Sequence, residues 1–181
     1  MELLVNSTPI ALWHDIIHEA EHSCAITLHE DVESYLVFLL VRYTNKPEMT
    51  KHIMAYEFLT GLKRIGEMNK QQALQDVGDK CLLFTGLFPK IAAKRLVKVS
   101  YFVNIGKSAY ETISKKQDDL YYSLAHQFVP LMDVLQSVRR YSSVYPDLLP
   151  LEAYELWNET GSQRALSVLR QYTKGSPIKG A

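Results

Sequence analysis

The sequence predicts an all-α fold, a compact single-domain bundle of about seven or eight helices over residues 1–173, with 174–181 as a flexible C-terminal tail. Three observations predict it. Apolar residues recur at steps of three and four along nearly the whole chain, which is the spacing of one helix face. Residues that start and stop helices fall at the ends of those periodic segments. No stretch alternates with period two for long enough to suggest a sheet, Val97 to Val103 being the one ambiguous piece. No repeat of roughly 30–40 residues is present, which argues against a solenoid.

The elements follow in order. Ile10, Trp13, Ile17, Ala20 and Cys24 make one apolar stripe on a first helix beginning near Pro9, since proline suits the first helical turn. Thr27 and Glu30 have capping-box spacing and open a second helix to about Tyr43, so close to the first that the two form an antiparallel hairpin. The second helix is apolar almost all round in its later half, through Leu36, Val37, Phe38, Leu39, Leu40 and Val41, and is expected to be central. Pro47 starts a third helix ending near Gly66. Asn69 is read as the cap of a fourth, with Leu74, Val77, Cys81, Phe84 and Phe88 on one side and Pro89 as its stop. Ser100 is read as the cap of a fifth, through Phe102, Ile105, Ala109 and Ile113. The longest segment runs from Gln117 to about Ser142. Pro130 lies inside it, deprives the His126 carbonyl of its helical partner, and predicts a kink or break. A short helix then starts near Pro150 and ends at Gly161, and Ser162 caps the last one.

Composition narrows the function classes. The chain has 181 residues, 47% hydrophobic, with Lys+Arg and Asp+Glu both at 20, so no global field draws in nucleic acid or an anionic membrane. The longest apolar runs, Tyr35 to Val41 and Cys81 to Phe84, are far shorter than the roughly 20 residues a membrane helix needs. Met1 to Thr8 lack the features of a secretion signal, and Cys24 and Cys81 have no partner spacing. Together these predict a soluble cytoplasmic protein with reduced thiols.

Several constellations have the residue types that chemistry needs. The first helix carries His14, His18 and His22, four apart, and the hairpin brings His29 and Glu33 alongside. Histidines one turn apart can grip one metal ion, so His18, His22, His29 and Glu33 are the candidate ligands, with zinc or iron as the metal. The plainer reading is a row winding outward into solvent, with no metal or other cofactor. Only one Glu-x-x-His pair (Glu19, His22) is present, where a di-iron bundle needs two. A second set is Asp119, Ser123 and His126, with Asp133 beyond Pro130. Ser123 and His126 are candidates for a ligand pocket beside the proline-loosened turn. Against this, Asp119, His126 and Asp133 line a face opposite the apolar stripe and are expected in solvent.

Other features have structural explanations. Glu48 before His52 suits the positive end of a helix dipole. Gly106-Lys107-Ser108 lacks the first glycine of a phosphate loop, position 101 being Tyr101, so Gly106 is read as a site of close helix approach. Lys90, Lys94, Arg95 and Lys98 form a short basic cluster, expected to be a solvated face. The 11 tyrosines sit mostly at helix boundaries and suit an interface, a pocket wall or the edge of the core.

The segment Cys81-Leu82-Leu83-Phe84-Thr85-Gly86-Leu87-Phe88-Pro89, with Ser100 to Tyr110 after it, resembles a group of uncharacterised bacterial all-helical proteins. The resemblance covers about a sixth of the chain; it implies a bacterial, cytoplasmic, helical protein and brings no activity. The expected function is a helical binding or protein-interaction module without its own catalytic machinery, self-associating or binding a protein partner. The alternatives are a metal-dependent helical enzyme built on the first hairpin, and a small-ligand carrier or sensor with a tyrosine-lined pocket.

Overall fold

The computed structural model describes residues 8–45, 67–89, 97–142, 148–173, 175 and 177–178. The helix expected over 47–66, with Glu48, His52 and Tyr56, lies outside the described residues. So do Lys90, Lys94 and Arg95 of the basic cluster and most of the expected tail.

Eight helices are described: α1 (Pro9–Cys24), α2 (Glu30–Asn45), α3 (Glu67–Leu87), α4 (Val99–Ile113), α5 (Leu120–His126), α6 (Phe128–Ser142), α7 (Pro150–Thr160) and α8 (Gln163–Tyr172). No strand occurs among the described residues, and none of their helices is long and apolar enough to cross a membrane. The fold is an all-α bundle, and one hydrophobic cluster draws residues from every helix.

Local chemistry sets most helix ends. Thr8 caps α1 by accepting the Ala11 N–H at 3.2 Å, with Pro9 in the first turn. Its other end closes with Ala25 in the left-handed region at φ 53°, while the Ile26 N–H reaches back to the Glu21 carbonyl at 3.0 Å. Pro150 opens α7, Gly161 at φ 76° ends it, and the Ser162 hydroxyl accepts the Ala165 N–H at 3.0 Å to start α8. The break expected near Pro130 is present: α5 stops at His126, Gln127 leaves helical geometry, and Pro130 falls in the first turn of α6, where no N–H is required.

Three starts differ from expectation. Helix α2 begins at Glu30, and the His29 carbonyl accepts its first bond from the Glu33 N–H at 2.9 Å, so the cap position is His29 rather than Thr27. Helix α3 already runs at Glu67, which puts Asn69 inside it. Lys98, not Ser100, occupies the cap of α4, and the Ser100 hydroxyl instead donates to Glu159 on α7 at 2.8 Å.

The centre is also not where apolarity alone placed it. Phe38 on α2 is 58% exposed, so α2 is an outer helix. The core is built on α3 and α6, where Cys81 to Gly86 and Leu131 to Val138 are buried without interruption. Helix α3 packs on α4 and α6, α1 bridges α6 and α2, and α7 and α8 pair at the other end. Gly106 does admit a close approach, since an added Cβ would lie 2.5 Å from the Phe128 ring. The polar residues of α6 tolerate burial because partners distant in sequence satisfy them. Asp133 accepts from the Ser162 hydroxyl and the Arg164 N–H, and the Gln136 amide donates to the Thr85 carbonyl at 3.1 Å.

Candidate functional site

The α1–α2 hairpin brings together part of the histidine set. The short connection folds back so that the Leu28 N–H donates to Glu21 Oε1 at 2.6 Å, which buries Glu21 to 7% exposure. Ligand atoms of His18, Glu21 and Glu33 all lie within 4.8 Å of one another. His14 Nε2 sits 3.2 Å from Glu33 Oε1, and its ring stacks on that of His18. Of the four residues chosen from sequence, His18 and Glu33 meet. His22 and His29 are exposed and outside this group. Glu21 takes the place that sequence reasoning missed. Its signal was present: position 21 is four after Ile17, so the stripe through Ile17 passes Glu21 as closely as Ala20.

The second set does not converge. Asp119 caps α5, accepting the Tyr122 N–H at 2.8 Å and the Lys115 N–H at 2.6 Å. Burial raises its carboxyl, but these bonds, with those of Ser114 and Lys116, together outweigh it and hold the group below the usual carboxylate range. His126 is exposed and folds onto its own helix, with Nδ1 2.9 Å from the Tyr122 carbonyl and its ring stacked on Tyr122. Ser123 is half-buried one turn earlier. Asp133, expected in solvent on the same face, is 1% exposed. The break at Gln127 rotates α6 relative to α5, so the spacing of seven residues no longer keeps one face.

A site that sequence reasoning did not find surrounds Asp79 on α3. Asp79 is fully buried. Its Oδ1 accepts from the hydroxyls of Tyr35 at 2.6 Å and Tyr110 at 2.7 Å, and its Oδ2 pairs with the Arg42 guanidinium. Gln75 extends the network, donating to the Tyr35 oxygen at 3.0 Å and accepting from Tyr121 at 3.1 Å. Gly78 makes room for it, because a Cβ there would meet the Tyr110 ring at 2.5 Å. Burial pushes the Asp79 carboxyl up, opposed by the two tyrosines and Arg42. The same burial, with Asp79 close by, raises the phenols of Tyr35 and Tyr110. The sequence held little signal for this site: Asp79 sits among Gln75, Asp76 and Lys80 on α3, and Tyr35 and Tyr110 reach it from 44 and 31 residues away.

The network holds up one wall of an open cleft of about 440 Å³ on the outer face of α2, lined by Tyr35, Phe38, Leu39, Val41, Arg42 and Asn45. Arg42 Nε is buried and finds no hydrogen-bond partner among the described residues. The arrangement suits recognition: apolar walls, one fixed cation and an exposed aromatic ring. Compared with known proteins, the chain matches no family model, no curated protein and no solved structure.

Proposed function

We propose that the chain is a non-catalytic helical binding module that self-associates through the outer face of α2. One observation carries the reading: an exposed Phe38 stands on the rim of a cleft of its own helix. A knob beside a hole on one helix is self-complementary about a two-fold axis, so each Phe38 enters the other copy's cleft. Tyrosine and arginine, present here as Tyr35 and Arg42, are the residues that dominate interface energetics. Arg42 is already fixed by Asp79, so little of its rotamer freedom remains to be lost on association. A phenylalanine presents about 150–250 Å², so seating the exposed half of two rings removes roughly 200 Å². At ~25 cal/mol/Å² this contributes about 5 kcal/mol, which offsets part of the translational and rotational cost of association, with the surrounding contacts supplying the rest.

Light scattering at tens of micromolar tests it. The wild-type chain is expected to approach twice its 20.7 kDa mass, and Phe38→Glu to stay at one copy with unchanged helicity. A wild-type monomer at that concentration removes the reading. The cleft volume also falls in the small-molecule range, and the Arg42 Nε–H would donate to a carboxylate, which supports a second reading as a ligand carrier. Binding of a medium-chain fatty acid to the monomer, lost in Arg42→Ala, would favour that alternative.

A further inference from the structure

We propose that the α1–α2 hairpin holds one divalent transition-metal ion on His18, Glu21 and Glu33. The three offer one nitrogen and two oxygens from two helices, already within 4.8 Å of one another. Nitrogen and carboxylate donors without a thiolate suit zinc, cobalt, iron or manganese in the divalent state. Zinc bonds of about 2.0–2.2 Å place tetrahedral ligands about 3.3–3.6 Å apart, so the donors must close by at most about 1.5 Å. His18 is 77% exposed at its side chain, and its ring can turn to make up that distance.

Two carboxylate oxygens point to a missing cation. Glu21 is 9% exposed at its side chain, and Leu28 occupies its Oε1. Its Oε2 faces His18 Nδ1 at 3.9 Å, beyond hydrogen-bond reach. Glu33 Oε1 is buried without a hydrogen-bond partner among the described residues, with His14 Nε2 3.2 Å away. A buried carboxylate oxygen without a donor is costly, and two carboxylates close together repel. One cation between them relieves both. The ring of His14, beside Glu33, then orients that ligand rather than binding the ion, and solvent supplies the remaining coordination position. The row reading, His18 with His22, uses an exposed residue outside this group.

The test is equilibrium dialysis and calorimetry of the untagged full chain with zinc chloride, and visible absorption with cobalt chloride. About one equivalent of zinc is expected, with a higher melting temperature by mass action and a cobalt spectrum of low coordination number. His18→Ala and Glu33→Gln are expected to weaken binding at least tenfold while circular dichroism stays unchanged. His14→Ala is expected to weaken it by about tenfold or more. His22→Ala is expected to leave affinity as it is, and losing binding in that variant would place the ion on the histidine row and overturn the assignment. Zinc affinity for the wild type no greater than for His18→Ala also overturns it.

Discussion

Replacing Asp79 by alanine removes the acceptor that joins α2, α3 and α4. The consequences can be worked donor by donor. Tyr110 is 0% exposed, so its hydroxyl loses its partner with no water to replace it, at about 1–3 kcal/mol. Tyr35 is half-buried and keeps its contact with the Gln75 amide, so its loss is smaller, about 0.5–1.5 kcal/mol. The Arg42 side chain is 39% exposed and reaches solvent, so its share is small. Relief of the buried carboxylate's own desolvation offsets part of the sum, which leaves about 1–3 kcal/mol net. In a chain of this size each kcal/mol moves the melting temperature by about 2–4 °C, so a drop of roughly 2–12 °C is expected. Urea denaturation followed by circular dichroism, with an unchanged m-value, measures it directly. Asp79→Asn keeps an acceptor for the tyrosines and is expected to lose about half as much. A loss under about 1 kcal/mol in Asp79→Ala would refute the view that this network holds α2 on α3.

Other outcomes follow from single positions. Asp119→Ala is expected to destabilise by about 1 kcal/mol at neutral pH through loss of the α5 cap. Because the folded-state pKa of Asp119 is lowered, its contribution is complete above the ordinary aspartate range and fades as pH falls through the folded value. Chemical denaturation of both proteins at pH 7 and pH 3 should therefore show the gap narrowing in acid. Asp79 has the opposite sign: its raised pKa makes the charged form the costly one, so it adds nothing to acid lability. Ala25→Gly relieves a left-handed residue and is expected to stabilise by about 0.5 kcal/mol, after the unfolded-state entropy of glycine is counted, as read from thermal melts.

Which parts were legible in the sequence follows from how local their causes are. Pro9, Pro150, Gly161 and Ser162 act within one turn, and the ends they mark are where they were expected. Pro130 likewise announced the break at Gln127. Asn69 misled because Glu67 and Met68 are themselves good helix formers, so the helix extends past a residue that would otherwise cap it. Centrality was misjudged for a different reason. Helix α2 is the more apolar, but α6 is the more buried, because Asp133 meets Ser162, which lies 29 residues away in sequence. Such pairings leave no periodic trace. The same holds for the candidate sites. His18 and Glu33 stood out as residue types one hairpin apart, while Tyr35 and Tyr110 meet Asp79 from 44 and 31 residues away.

Self-association through α2 is tested most directly by putting the photoreactive analogue p-benzoylphenylalanine at position 38 and irradiating the purified chain. The ring at this position is predicted to form a covalent dimer, with the attachment on the other copy mapped by mass spectrometry to the cleft between Tyr35 and Asn45. A chain that stays a single copy after irradiation, or a dimer joined outside that segment, would contradict the account.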